Sequence, residues 1–160
     1  MIIVLMGAAG AGKTTVGTAL AEALGWPFYD ADALHDGASV DKMRGGEPLT
    51  ELDRGPWLVR VHELLRELSE QKTNAVVACS ALRARHRSAV AVGVDDVRWI
   101  FLQADPELLR ARLESRSPHF AGPALLPGQL AALEPPTNAL TLPADRSVVD
   151  LVEAIIAATR

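Results

Sequence analysis

Short apolar runs alternate with amphipathic stretches along most of this 160-residue chain. The runs predict buried strands at Ile2–Met6, from Pro27 to Asp30, at Ala75–Cys79, at Arg98–Leu102 and at Ala139–Leu142. The stretches between them predict helices at 16–24, 41–46, 57–68, 83–87, 106–116 and 148–156. Strands that alternate with helices indicate an α/β fold, in which helices cover both faces of a parallel sheet.

Residues 117–136 break this alternation. They contain five prolines and two glycines, which are too many interruptions for one long regular element. The rest of the chain shows no internal repeat, low-complexity tract or linker, and its length suits one compact unit. We therefore expect a single domain over residues 1–160.

Composition narrows the classes of protein to consider. Hydrophobic residues make up 49% of the chain and charged residues 22%, which is enough apolar surface for a real core. The net charge of −4 and the few aromatic residues disfavour nucleic-acid binding. The single cysteine, Cys79, excludes an internal disulfide, and no Cys/His spacing suggests zinc. Since no leader or membrane-length apolar run is apparent, we expect a cytoplasmic protein with no membrane contact.

A phosphate-loop pattern follows the first predicted strand. Gly7 is followed after four residues by Gly12, Lys13 and Thr14, where the first predicted helix begins. Glycines let successive N–H groups point at phosphate oxygens, while the lysine reaches the β- and γ-phosphates and the threonine hydroxyl ligates Mg²⁺. A glycine-rich turn with a coincidental lysine is the alternative, and the flanking elements argue against it. The predicted ATP-binding residues of this loop are Gly7, Ala8, Ala9, Gly10, Ala11, Gly12, Lys13, Thr14 and Thr15.

Two carboxylates, Asp30 and Asp32, stand at the end of the second predicted strand. Beside a phosphate loop, one can approach Mg²⁺ while the other orients or deprotonates an acceptor hydroxyl. Turn or helix-cap roles are the alternative for both. Because the chain has no Asn-Lys-x-Asp pattern and no room for a motor module, a small-molecule kinase fits better than a GTPase or a motor ATPase.

Further motifs are more diagnostic than the phosphate loop. In chain order they are Asp30-x-Asp32-x-x-His35, Lys42-Met43, Gly46-Glu47-Pro48-Leu49, Asp53-Arg54-x-Pro56-Trp57, Cys79-Ser80-Ala81-Leu82 and His119-Phe120. With the loop, they resemble the gluconate kinases (gluconokinases), relatives of shikimate kinase, from Ile2 to about Pro136. The resemblance implies a three-layer P-loop kinase fold with about five parallel strands, a lid over about residues 117–136 and, in many members, a homodimer. It also implies that ATP, with Mg²⁺, phosphorylates D-gluconate at its 6-hydroxyl.

The resemblance assigns roles to individual residues. Asp32 acts on the acceptor hydroxyl and Asp30 lies nearer the metal with Thr14, although the two carboxylates could be exchanged. The gluconate carboxylate needs a fixed cation, for which Arg54 is the first candidate; a salt bridge at the start of a helix is its alternative. The other predicted substrate contacts are His35, Lys42, Ser80, Arg83 and His119. The alternatives are a solvated helix position for His35, surface charge for Lys42 and Arg83, and a helix cap for Ser80.

Two arginines belong to the predicted nucleotide site. Arg112 and Arg116 are four positions apart on one face of the predicted helix, and Arg116 is the candidate that supplies transition-state charge. Surface pairing with nearby glutamates is their alternative. The lid departs from the family pattern, because the basic residue before His119 is missing and Pro123 and Pro127 interrupt the helix that follows. We therefore expect a shortened or looser lid.

Two other functions compete with a gluconate kinase. The first is a kinase for another small sugar acid or polyol such as shikimate, with the same nucleotide half and a different acceptor pocket. The second is a nucleotide-binding module that has lost catalysis through its altered lid. An acceptor screen with ATP separates the first, and ATP binding without gluconate-stimulated ADP release identifies the second.

Overall fold

The computed structural model describes residues 1–116 and 122–160, in which five strands alternate with helices. The strands are β1 (Ile2–Met6), β2 (Phe28–Asp30), β3 (Ala75–Ala78), β4 (Val97–Gln103) and β5 (Leu140–Pro143). The α-helices are α1 (Lys13–Leu24), α2 (Gly37–Arg44), α3 (Glu51–Glu70), α4 (Ala84–Ala91), α5 (Pro106–Glu114), α6 (Leu126–Ala132) and α7 (Val148–Thr159). Short 3₁₀ helices cover Ala31–Leu34 and Pro123–Leu125. Within the described ranges, no helix combines the length and the apolar character that crossing a membrane requires.

The strands form one sheet in the order β2-β3-β1-β4-β5, and every neighbouring pair is parallel. The central strand β1 aligns Ile2 with Ala75 of β3 on one side and with Val97 of β4 on the other. From β1 the chain therefore places β2 and β3 on one side of this strand. It then crosses over and places β4 and β5 on the other side. Such a reversal opens a crevice at the carboxyl ends of the strands. The predicted α/β fold with a five-stranded parallel sheet is confirmed.

Successive residues of β1 enter two different hydrophobic cores. Ile3 and Leu5 pack in the core that α1, α5 and α7 cover, whereas Val4 and Met6 pack in the core that α3 and α4 cover. Neighbouring side chains of a strand point to opposite faces, so a sheet covered on both faces needs apolar residues at every position. This explains the continuous apolar run from which the strand was predicted.

Capping groups start two helices earlier than the apolar pattern predicted. The Asp36 carboxylate accepts the Ser39 N–H at 2.7 Å, which begins α2 at the residue after the aspartate. Thr50 and Asp53 form a capping box at the start of α3. The Asp-Arg pair at 53–54 therefore lies in the first turns of α3 and is held in place by the cap.

Helix α5 ends earlier than predicted. Asp105 and Pro106 begin it as expected, although the Asp105 side chain makes no capping hydrogen bond. The helix stops at Glu114, so Arg116 lies beyond its last turn. The prediction that Arg112 and Arg116 share one continuous helical face is therefore wrong.

The described part of the proline-rich segment is helical over a short distance. Pro127 lies in the first turn of α6, where a missing N–H removes no helical hydrogen bond. Leu125 and Leu126 are buried and belong to the core on the α1 side of the sheet. The expectation that Pro127 interrupts a helix is wrong, because this proline lies in the first turn of α6, which begins at Leu126. His119, a predicted substrate contact, lies outside the described residues.

Candidate active site

A cleft opens at the carboxyl ends of β1, β2 and β3. The loop between β1 and α1 forms one side, and residues of α2, α3 and the loop after β3 form the other. Helix α6 also contributes to its lining. The predicted catalytic and substrate-binding residues that it brings together are Lys13, Asp32, His35, Arg54, Ser80, Arg83 and Arg116.

The phosphate loop requires glycine at its first and fourth positions for different steric reasons. A Cβ atom on Gly7 would lie 2.8 Å from the Leu102 carbonyl oxygen. A Cβ atom on Gly10, whose φ is +85°, would lie 3.0 Å from the Leu109 carbonyl oxygen. Larger residues would thus push the loop away from the sheet and from α5. The glycines let the backbone follow the curve that directs N–H groups toward a phosphate.

Lys13 is enclosed by its own loop. Its Nζ donates to the carbonyl oxygens of Gly7 and Ala8, at 2.9 and 3.1 Å. Burial lowers the pKa of Lys13, and the carboxylates of Asp32 and Asp30 oppose that shift. The ammonium group therefore lies between loop carbonyls and two carboxylates, where it can balance the charge of phosphate groups.

Thr14 and Asp30 lie side by side at the start of α1. The Thr14 hydroxyl donates to Asp30 Oδ2 at 2.9 Å, and Asp30 Oδ1 accepts the Asp32 N–H at 3.0 Å. Asp30 therefore caps the 3₁₀ helix, as the alternative interpretation held, and also presents an oxygen beside the threonine. A hydroxyl and a carboxylate oxygen are the ligand types that Mg²⁺ prefers, so the pair suits this ion. Among the described residues, no cluster of three or more His, Cys, Asp or Glu side chains could hold a metal alone.

Asp32 and His35, from the segment after β2, line the same cleft as the phosphate loop. The His35 ring stacks on the Trp57 ring, with centroids 4.6 Å apart and planes 9° from parallel. Trp57 Nε1 donates to the Ala31 carbonyl at 2.7 Å, which fixes the indole against the segment after β2. Burial, followed by the charge of Arg54, lowers the pKa of His35 to about 4. The imidazole is therefore neutral near pH 7 and offers hydrogen bonds without a charge.

Arg54 lies in the cleft and also takes part in the local structure of α3. Its Nη1 donates to the Leu49 carbonyl at 3.1 Å and lies 3.6 Å from Glu51 Oε1. Burial lowers the pKa of Arg54, and Glu51 is the main group that opposes the shift. The salt bridge at the helix start is thus present, and the guanidinium still lines the cleft.

Lys42 is placed differently from the other predicted substrate contacts. Its Nζ pairs with Asp53 Oδ2 at 3.0 Å, and this hydrogen bond raises the pKa of Lys42. It does not line the cleft that the described residues form. The ion pair joins α2 to the first turn of α3, which corresponds to the surface role that the sequence left open.

The loop after β3 carries Ser80 and Arg83 into the cleft. Ala81 has a φ of +34°, a conformation that side chains other than glycine rarely adopt. The Arg87 guanidinium donates to the carbonyls of Ala81 and Leu82, at 3.0 and 2.9 Å, and so holds this turn. Arg83, not Ser80, occupies the N-cap position of α4. The alternative interpretation of Ser80 as the cap of α4 is therefore wrong.

Arg112, on α5, forms hydrogen bonds that hold the phosphate loop in place. Its guanidinium donates to the Gly10 carbonyl at 3.3 Å and to the Ala144 carbonyl at 2.7 Å. A second groove here is lined by residues of the loop together with Thr15, Arg112, Arg116 and the segment after β5. Arg116 lines both this groove and the main cleft, so it lies where the two join.

Comparison with known proteins agrees with this geometry. The shikimate kinase family matches residues 9–125 of the chain. A gluconokinase of Gluconobacter oxydans (strain 621H) is 44% identical over 134 residues, which cover 84% of this chain and 75% of that protein. The chain belongs to the gluconokinase family. A crystal structure of a gluconokinase from Sinorhizobium meliloti 1021, 35% identical, has a TM-score of 0.86 and covers 98% of this chain and 90% of that one. An unliganded sugar kinase from Janibacter sp. HTCC2649, 31% identical, has a TM-score of 0.90 and covers 98% and 92%.

Two residues of this gluconokinase-family cleft were missed from the sequence. His86 lies on α4, is 5% exposed, and its Nε2 lies 2.9 Å from Glu51 Oε2. Gln129 lies on α6, and its Oε1 accepts the Ala9 N–H of the phosphate loop at 2.7 Å. Their partners, Glu51 and Ala9, are far from them in sequence. The one sequence signal for either residue is therefore the position of Gln129 in a polar lid.

Proposed function

We propose that this member of the gluconokinase family transfers the γ-phosphoryl group of ATP to the 6-hydroxyl of D-gluconate, giving ADP and 6-phospho-D-gluconate. The observation that carries the proposal is one cleft lined by two chemically different groups of residues. Lys13 and Thr14 of the phosphate loop line it together with Asp32 and Arg54, which come from outside the loop. The similar proteins are named as gluconokinases and a sugar kinase, which supports the same reaction.

The phosphate loop binds the donor. Its N–H groups and the Lys13 ammonium neutralise the β- and γ-phosphates, and Arg112 holds the loop against the segment after β5. Thr15 and Arg112 line the groove in which the nucleoside lies. Arg116 lies where the groove and the cleft join. Its positive charge stabilises the negative charge of the phosphoryl group during transfer.

Asp32 acts on the acceptor. Its carboxylate orients the 6-hydroxyl and accepts the proton while the hydroxyl oxygen forms the new bond to the γ-phosphorus. The bond between that phosphorus and the β–γ bridging oxygen breaks, and the electron pair leaves with ADP. The Asp32 carboxylate opposes the lowering of the Lys13 pKa, so the two side chains lie close enough to interact, and Lys13 faces the phosphoryl group at the same time.

The other end of gluconate carries a carboxylate and is recognised by cations. The Arg54 guanidinium binds this carboxylate, and Arg83 lines the same cleft. His35 and Ser80 supply neutral hydrogen bonds for the hydroxyl groups between the two ends. Lys42 has no direct contact in this proposal, because it pairs with Asp53.

Mg²⁺ fits the Thr14–Asp30 pair. The two oxygens are already 2.9 Å apart, so they can share one hard cation with phosphate oxygens. When bound, the ion neutralises charge on the phosphates. Asp30 is accordingly the metal-side carboxylate and Asp32 the acceptor-side one, since Asp32 lines the cleft and Asp30 is turned to Thr14.

The whole chain acts as one kinase domain in this proposal, with residues 117–136 as its lid. The described part of that segment, α6 and its flanks, already reaches the phosphate loop and the loop after β3. Cytoplasm, where ATP and sugar acids are available, is the compartment that we propose. The homodimer common in the family stays a prediction that light scattering of the purified protein would test.

An ADP-release assay across a panel of acceptors tests the proposal. With ATP and Mg²⁺, D-gluconate should give the highest kcat/KM, and shikimate and neutral polyols should give little turnover. Turnover on another sugar acid with none on gluconate would assign a different acceptor to the same fold. ATP binding in a calorimeter without turnover on any acceptor would indicate a silent nucleotide-binding module.

A further inference from the structure

Gln129 makes an unusual contact for a side chain outside the phosphate loop. Its Oε1 accepts the Ala9 N–H at 2.7 Å, although the two residues are far apart in sequence. Ala9 is the third residue of the loop, and both residues line the main cleft together with Lys13 and Asp32. The carboxamide therefore lies against the phosphate loop, in the cleft that Lys13 and Asp32 also line.

The position of Gln129 is set by packing of its own helix. Leu125 and Leu126, at the start of α6, are 6% and 1% exposed and are anchored in the core with α1. At the other end of this segment, the Glu134 N–H donates to the Leu82 carbonyl at 2.9 Å, and Glu134 Oε2 accepts the Ala84 N–H at 2.6 Å. The segment is thus held at both ends, and the glutamine is presented to the loop from a defined helix.

The partner of Gln129 determines the orientation of its carboxamide. A backbone N–H can only donate, so the oxygen must face Ala9 and the amino group is the remaining, donating end. The Ala9 N–H has a single hydrogen, so a bond to Gln129 and a bond to a phosphate oxygen are alternatives. A phosphate oxygen that takes this N–H therefore meets the carboxamide directly.

We propose that Gln129 contacts the phosphoryl group that is transferred. The Ala9 N–H exchanges the glutamine oxygen for an oxygen of the γ-phosphate, and the amino group of Gln129 donates to that same phosphate. This neutral hydrogen-bond donor supplements the cations Lys13 and Arg116. It adds no further charge to a cleft that already contains several charged side chains. This role adds a phosphate-binding residue to the proposed kinase function. It depends on that function only for the identity of the acceptor.

Gln129→Met is the first variant, because methionine keeps the length and helix preference of glutamine and removes both polar atoms. We expect kcat with gluconate to fall about ten- to a hundredfold, the range for one lost hydrogen bond to a charged group. The KM for gluconate should change little. Gln71→Met, at an exposed site at the end of α3, is the matched control and should behave as the wild type.

Nucleotide affinity supplies a second measurement that needs no acceptor. The Kd of a non-hydrolysable ATP analogue should rise severalfold in Gln129→Met, whereas the Kd of ADP, which lacks the γ-phosphate, should stay constant. A failure of wild-type turnover on gluconate would leave this comparison intact, so the two proposals fail separately. Equal losses for ADP and the analogue, or no loss for either, would overturn the role of Gln129.

Gln129→Glu separates contact with phosphate from a purely structural bond to the loop. Glutamate keeps an oxygen that can accept the Ala9 N–H, but at neutral pH it has no donor and repels phosphate. We expect it to lose at least as much kcat as the methionine variant. A structural role predicts the opposite result, with Gln129→Glu close to the wild type and only Gln129→Met impaired.

Discussion

Replacement of Arg54 by alanine tests whether the cleft recognises a carboxylate. The guanidinium lines the cleft, and its side chain is 27% exposed, so a substrate carboxylate would meet it largely out of bulk water. A hydrogen bond between charged groups contributes about 1.5–3 kcal/mol, which corresponds to roughly a 10- to 150-fold higher KM for gluconate in Arg54→Ala. The KM for ATP should stay within about twofold, because Arg54 contacts Leu49 and Glu51, which lie outside the phosphate loop.

The structural cost of this substitution can be separated from the effect on binding. Arg54 also donates to the Leu49 carbonyl at 3.1 Å, and loss of that bond should lower stability by about 1 kcal/mol. In a chain of this size the melting temperature would fall by only about 2–4 °C. Assays at 25 °C would therefore measure folded protein, which a thermal melt of each variant confirms.

Arg85→Ala is the matched control for Arg54→Ala. Arg85 pairs with the same glutamate, Glu51, at 3.0 Å, but its side chain is 61% exposed and does not line the cleft. Steady-state kinetics with gluconate and ATP varied in turn should find Arg85→Ala close to the wild type. An equal rise of the gluconate KM in both arginine variants, or a parallel rise of both substrate KM values in Arg54→Ala, would refute a carboxylate-binding role for Arg54.

Three further outcomes follow from the site. Asp32→Asn should reduce kcat by about a hundredfold or more while ATP affinity in a calorimeter stays nearly constant; unchanged turnover would exclude its role toward the acceptor. Thr14→Ala should raise the Mg²⁺ concentration needed for half-maximal turnover about tenfold, whereas Thr18→Ala, whose hydroxyl only bonds the Thr14 carbonyl, should not. The hydrogen bond from His86, with one from Arg85, lowers the pKa of Glu51 to about 2 from 4.5. This depressed pKa stabilises the fold above about pH 4.5, and the contribution disappears as the pH falls toward 2. Denaturant titrations should show Glu51→Gln less stable than the wild type near pH 7 by less than about 1 kcal/mol, since Glu51 is half-exposed, with the difference shrinking below pH 4.5.

Errors in the predicted helix boundaries have a common physical origin. The apolar pattern marks the residues that a helix buries, but capping side chains and neighbouring segments decide where the helix begins and ends. Asp36 and Thr50 start α2 and α3 before the first buried position. Pro127 predicts a helix break by its residue type, yet its position in the first turn makes it compatible with α6.

The sequence by itself determined the features that depend on near neighbours. The pattern from Gly7 to Thr14 between a strand and a helix predicts a phosphate-binding loop, because such binding depends on local backbone geometry. Apolar runs of strand length identify a sheet that is buried on both faces, because each residue of such a strand needs a hydrophobic partner. The motifs that resemble gluconokinases likewise lie within short segments, and matches over most of the chain bear the resemblance out.

Only the tertiary structure decided which of these segments meet. The pairs Ala9–Gln129, Glu51–His86 and Arg112–Ala144 join residues far apart in sequence, and no spacing rule connects their partners. The strand order and the packing of α6 against the core bring them together. Tertiary packing also left Lys42 paired with Asp53 and kept Arg54 in the cleft. The reason is physical: local sequence determines what a residue can bind, whereas the strand order determines which residues it can reach.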